Sequence, residues 1–119
     1  LEQRRAHAAA YTAALAATSI RPPVERPGCR HAYRNYVVRT PRRQWVQEEL
    51  SAAGIAASCL YVPLLHVQPV YADLGCRLGA FPVAEEAAEE VLSIPVSHTV
   101  TIEQREFIIE TLQRIGERL

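Results

Sequence analysis

Lysine is missing from this 119-residue chain: all 13 of its basic residues are arginines. A Schiff base to a carbonyl compound needs a primary amine, and no side chain here supplies one, so nothing but the chain terminus can anchor an aldehyde as an imine. An excess of either charge is missing too. Thirteen acidic groups balance the thirteen basic ones, which excludes the basic surplus a nucleic-acid partner requires. Long apolar runs are absent; a membrane span needs about 20 apolar residues, and the longest run here is a handful. Leu1 onward reads as a charged amphipathic helix and not as a signal peptide with an apolar centre. Cysteine is scarce and odd in number (Cys29, Cys59 and Cys76) with no CxxC pair, so a disulfide framework is not expected and a reducing cytoplasm is the default setting. The histidines at 7, 31, 66 and 98 are scattered, with no i,i+4 pair to hold a metal.

What remains is an ordinary globular composition, 49% apolar and 22% charged. The length suits one domain, and such a chain buries roughly two thirds of its unfolded surface. Arginine in place of lysine, with abundant alanine, has the look of a GC-rich bacterial genome.

Residues 1–18 are alanine-rich and carry Tyr11 and Leu15 four apart, which predicts a helix with a modest apolar stripe. The prolines from Pro22 to Pro27 and Gly28 form a loop. Tyr and Val density predicts strands over 31–39 and, beyond a helix, over 55–62. Thr40-Pro41 reads as an N-cap with proline at the first helical position, Val46, Leu50 and Ala53 as the buried stripe, and Gly54 as the stop. An irregular connection, 63–69, holds His66, and 70–74 forms one helical turn. Pro82 opens a third helix whose buried stripe is Ala84, Ala87, Ala88 and Val91. Residues 92–96 are extended, and Thr101 to Gln104 is a capping box before a final helix with Ile108, Leu112, Ile115 and Leu119 on one face. This order predicts an α/β (α+β) fold, a two-layer domain with helices on a small sheet.

Five segments in register resemble the C-terminal region of the DegT/DnrJ/StrS family of sugar aminotransferases. Arg4-Arg5-x-x-Ala8-x-x-Tyr11-x-x-x-Leu15 is similar to the family's linker helix, and His31-Ala-Tyr33-x-x-Tyr36-Val-Val-Arg39 to its first small-domain strand. Leu50-x-x-Ala53-Gly54-Ile55 resembles a helix-to-strand turn. Tyr61-Val-Pro63-Leu-Leu-His66-x-Gln68-Pro-x-Tyr71-x-x-Leu74-Gly75 resembles the most recognisable loop. Phe81-Pro82-x-Ala84-Glu85 and Val91-Leu-Ser-Ile94-Pro95 follow. In this chain two residues, Leu64 and Leu65, separate the loop proline from the histidine where relatives usually have one, and Arg34 stands where many have His.

The resemblance implies a linker helix (residues 1–18) and a small domain (19–119) like that of a fold-type I aminotransferase. The parent would move an amino group from glutamate to a keto sugar on a nucleoside diphosphate. Pyridoxal phosphate (PLP) would sit on a large domain absent from this chain, in a homodimer, with no cofactor held by the residues present. The isolated chain would be inactive, and apolar surface over the first helix would be left bare. A stand-alone binding or regulatory module is the alternative; a small enzyme built on Cys59 or His66 is a third reading.

The resemblance points to His66, on its proline-bounded loop, as the first substrate-binding candidate, since an imidazole can donate to a phosphate or a sugar hydroxyl. Tyr71 and Tyr61 offer hydroxyls, although tyrosines in such places often serve as anchors with one wet end. Arg34, and with less claim Arg39, could grip a diphosphate bidentately. Cys59, mid-strand, reads as a small buried hydrophobe. Glu85-Glu86 and Glu89-Glu90 read as a solvated helix face, and Arg42-Arg43 as charges opposing a helix dipole.

Overall fold

The first helix, α1 (Glu2–Leu15), buries His7, Ala8, Tyr11 and Leu15 at three- and four-residue spacing, the pattern that turns one face to a core. A computed structural model describes residues 1–119. The remaining elements are β1 (Tyr36–Arg39), α2 (Arg43–Ala52), two short 3-10 helices (Leu65–Val67 and Pro69–Leu74), α3 (Pro82–Glu90), β2 (Val91–Ile94) and α4 (Ile102–Gly116). The fold is the expected α+β arrangement, with helices on a small sheet. No helix is long and apolar enough to cross a membrane.

The sheet has two strands, and its direction, which the sequence left open, is antiparallel, with Tyr36 opposite Ile94 and Arg39 opposite Val91. Period-two alternation sends Tyr36 and Val38 of β1 and Leu92 and Ile94 of β2 into the core. There they join Val46 and Leu50 of α2, Ile108, Leu112 and Ile115 of α4, and the α1 stripe. Two tyrosines stitch the layers. The Tyr11 hydroxyl donates to the Pro95 carbonyl at 2.9 Å, and the Tyr36 hydroxyl pairs with Thr12 Oγ1 at 2.9 Å. Burial raises the Tyr11 phenol to about 12, so it remains a donor throughout the physiological range. The Thr101–Gln104 capping box forms as expected.

Several local expectations are corrected. Of the strand predicted over 31–39 only Tyr36–Arg39 pairs. Upstream, Glu25 accepts from Arg5 Nη1 at 2.7 Å and from the His31 amide at 2.8 Å, and His31 Nδ1 accepts from the Tyr33 amide. This segment is therefore bonded to α1 and to itself, with no ladder partner. The strand predicted over 55–62 shrinks to a single bridge, Ser58 to Ser93; toward residue 56 the ladder would next meet Pro95, just past the end of β2, which has no N–H to offer. Thr40 does not cap α2; its hydroxyl donates to the Pro41 carbonyl at 3.0 Å, and Arg42, left-handed at φ 52°, occupies the cap position. The Arg42 guanidinium instead lies over the Trp45 ring, 4.3 Å from its centroid. The stripe assigned to α3 is not buried: Ala84 is exposed, and Ala87, Ala88 and Val91 are half-buried.

The loop before β1 depends on Glu25, whose carboxyl is held down to about 2, first by the Arg5 hydrogen bond and then by the His31 amide, against opposing burial. A carboxyl lowered on folding contributes stability that is complete above its unfolded value and lost as pH falls through the folded one. Acid titration should therefore loosen this loop between pH 4.5 and about 2. Glu25→Gln should remove that part of the pH dependence of the urea midpoint; an unchanged dependence would contradict the clamp.

Candidate functional site

From Ala56 to Val91 no residue is buried, yet this stretch is rich in apolar side chains. Ten of the fourteen large apolar side chains exposed in the whole chain fall between Tyr61 and Val83. The bare surface is thus not over α1, where it was expected, but over the loop and the start of α3. Single exposed apolar residues are unremarkable; a contiguous run of them marks a surface built to be covered.

Polar contacts give this uncored segment its shape. Glu85, in the first turn of α3, accepts from the Gly79 amide at 2.8 Å, the Phe81 amide at 3.2 Å and His66 Nε2 at 2.8 Å. The side chains of His66 and Glu85 are only 11% and 17% exposed. Burial pushes the Glu85 carboxyl up, but the Gly79 amide, His66 and the Phe81 amide together outweigh it and hold it below its ordinary value. An ionised carboxylate only accepts. Nε2 of His66 must therefore carry a hydrogen, leaving Nδ1 as the ring atom free for another partner. Phe81 lies edge-on to the imidazole, 5.0 Å between centroids. Gly75, at φ 73°, closes the second 3-10 helix in the left-handed region that glycine enters without strain.

Around His66 is a cavity of about 360 Å³ lined by Leu65, His66, Tyr71, Leu74, Cys76 and Phe81. It is an apolar cup with an imidazole and a phenol, suited to the flat face of a ring ligand that carries a few hydrogen-bonding groups. Of the residues singled out from the sequence, the structure brings His66 and Tyr71 together here. Tyr61 is 76% exposed and stands outside this cup. Arg34 lines another groove, and Arg39 is committed: its Nε donates to Glu90 at 2.8 Å, beside Arg21 at 2.9 Å on the same oxygen. Cys59 is half-buried against the core with Sγ 3.5 Å from Gln47 Oε1; it is not poised as a nucleophile, which needs an adjacent base.

Glu85 is the residue of the candidate site that the sequence does not single out. It was placed on a solvated face, a description that holds only for Glu86 and Glu89, since Glu85 and Glu90 are both bonded. The available signal was an acidic residue in the first turn of a proline-initiated helix, where a carboxylate can reach back to loop amides. No three His, Cys, Asp or Glu side chains converge as metal ligands. Nor do the residues present fit PLP as a resident group, because its imine anchor is a lysine and the chain has none. If Glu85 holds the loop, Glu85→Ala should speed tryptic cleavage after exposed Arg77 by roughly tenfold, by raising the open fraction of the loop. Unaltered cleavage there would show that the loop holds without it.

Comparison with known proteins places these features in context. Residues 1–113 match the model of the DegT/DnrJ/EryC1/StrS aminotransferase family. A "pleiotropic regulatory protein" of Geobacillus stearothermophilus is 40% identical over 114 residues, and a dTDP-3-amino-3,4,6-trideoxy-alpha-D-glucose transaminase of Streptomyces venezuelae is 32% identical over 118. These alignments cover 93% and 98% of the chain, which spans 31% of the length of either relative. The crystal structure of S. venezuelae DesV in complex with a ketimine intermediate superposes with a TM-score of 0.94 at 32% identity, covering 99% of this chain and 32% of that one. A DegT/DnrJ/EryC1/StrS aminotransferase from Brucella abortus gives 0.86 at 27% identity, over 97% and 31% of the two chains. The chain belongs to the DegT/DnrJ/EryC1/StrS aminotransferase family.

Proposed function

We propose that this chain is the small domain of a nucleotide-sugar aminotransferase and that its task is to close one wall of the substrate cleft. The observation that carries this is the apolar cup around His66, with Nε2 fixed by Glu85 and Nδ1 left for a ligand. The 31% span relative to the family members matched supports a second, larger domain as the partner. On this reading PLP and the lysine that anchors it belong to that domain. The exposed apolar run from Tyr61 to Val83 is the face that packs against it, or against the second subunit of a homodimer in the cytoplasm.

The chemistry assigned to this chain is confined to binding. His66, its ring plane set by Glu85 and Phe81, presents one nitrogen to a sugar hydroxyl or phosphate oxygen. Tyr71 adds a phenol at the same cup, and Leu65, Leu74 and Phe81 exclude water from the ligand's apolar faces. Tyr61 is proposed as an outlying contact of the same substrate, reached only in the assembled enzyme, whereas Arg34 stands in a groove apart from the cup. The amino group would come from glutamate and the acceptor would be a keto sugar nucleotide, with the cofactor supplying the electron sink; no step of that exchange runs through these residues.

The 119-residue chain incubated with PLP, glutamate and a keto sugar nucleotide should form no 2-oxoglutarate. Replacing the small domain of the 32%-identical S. venezuelae relative by this chain should restore turnover, and His66→Ala in that hybrid should raise KM for the sugar nucleotide roughly tenfold. Turnover by the chain alone, or a hybrid whose KM ignores His66, would overturn the proposal.

A further inference from the structure

A second concavity lies where α1, the start of β1 and the end of β2 meet. It is about 230 Å³ in volume, and its polar lining is Arg4, Arg34, Asn35, Ser58, Ser93 and Ser97, completed by Ala56 and residues 94–96. It shares no lining residue with the cup around His66. We propose that it is an oxyanion site that takes a phosphate group of a small ligand.

Three observations carry the proposal. The first is charge. Most arginines near this face are already neutralised: Arg5 by Glu25, Arg30 by Glu2, and Arg21 and Arg39 by Glu90. Arg4 and Arg34 have no acidic partner, and no Asp or Glu lines the groove. Two guanidiniums without a counter-charge line one small concavity, and an anion entering it is attracted by both. By contrast, the groove that holds Arg42 and Arg43 also holds Glu89 and Glu90, so it carries its own counter-charge.

The second observation is donor geometry. A guanidinium presents a planar fork that matches two oxygens of a phosphate. Asn35 and the hydroxyls of Ser58 and Ser93 make no side-chain hydrogen bond within the chain, so their donors are available. Ser97 Oγ accepts from Thr99, by its amide at 3.3 Å and its hydroxyl at 3.0 Å, and its own proton therefore points elsewhere. The third observation is rigidity. Ser58 and Ser93 are locked by two backbone hydrogen bonds, 2.8 and 3.2 Å, and β2 is paired on its other side to β1. The hydroxyls thus stand on a fixed floor, with one arginine from a helix and one from the approach to a strand above it. A phosphate offers several acceptor oxygens and two negative charges, enough to engage both arginines at once; a carboxylate offers two oxygens and one charge, and should bind more weakly.

The test is calorimetric titration of the 119-residue chain with inorganic phosphate, pyrophosphate and uridine diphosphate at low salt, combined with amide chemical shifts. Pyrophosphate should bind, with shifts centred on Asn35, Ser58, Ser93 and Ser97. Arg34→Gln and Arg4→Gln should each weaken it roughly tenfold, and Arg114→Gln, outside the groove, should not. Uridine diphosphate binding more tightly than pyrophosphate would identify a nucleotide as the source of the phosphate; equal affinities would identify the free anion. Absence of binding up to about 10 mM, shifts centred elsewhere, or affinity indifferent to Arg34→Gln would each overturn the assignment. Loss of folding by Arg4→Gln would show in the far-UV signal, and Arg34, exposed at the groove rim, then carries the test alone.

Discussion

The carboxylate of Glu85 accepts hydrogen bonds from the Gly79 and Phe81 amides and from His66, and the shape of the segment from Ala56 to Val91 depends on it. That segment contributes no buried residue to the core. A stretch of chain without a core must compensate its lost conformational entropy in some other way, and charge-assisted hydrogen bonds to one ionised group are the means used here. At the other end of α3, Glu90 does the same work, pairing with Arg39 and Arg21 while its carbonyl accepts from the Thr40 amide. The short helix is thus pinned by Glu85 and Glu90, and Ala87 and Ala88 remain half-buried between them.

The rest of the molecule is organised differently. α1, α2, α4 and the two strands share one cluster of buried side chains, held by apolar contact and by the two tyrosine hydroxyl bonds. Two kinds of stability are therefore joined in one chain: a dry core that defines the domain, and a polar-pinned apolar arm that presents the cup around His66. The arm leaves its apolar side chains exposed, from Tyr61 to Val83, while the core is closed.

Where periodicity was strong, the sequence was legible. Ile108, Leu112 and Ile115 lie on the buried face of α4, the Thr101 capping box forms, and Gly54 follows α2 in the left-handed conformation. Where elements depended on partners distant in sequence, it was not. The 55–62 stretch has strand-like residues, but it forms one bridge, to Ser93, and beyond that residue the partner segment turns into Pro95, far along the chain. Thr40-Pro41 carries a cap signature, but α2 starts later, with Arg42 at the cap position, and the Thr40 hydroxyl and amide are bonded to the Pro41 and Glu90 carbonyls. His66 and Tyr71 were found through their loop, and the structure gathers them. Glu85 is not legible in the sequence, because a glutamate in one of two adjacent pairs looks solvated until the loop that folds back to it is known.

The arm around His66 is held by polar contacts, with its apolar side chains left exposed. Amide hydrogen exchange on the isolated chain measures this directly. The account predicts that amides from Val67 to Leu74 exchange roughly a hundredfold or more faster than those of Leu112 and Ile115, which open only with the whole domain. Equal protection of the two regions would contradict it, because the arm would then possess a stability that none of its observed contacts supplies.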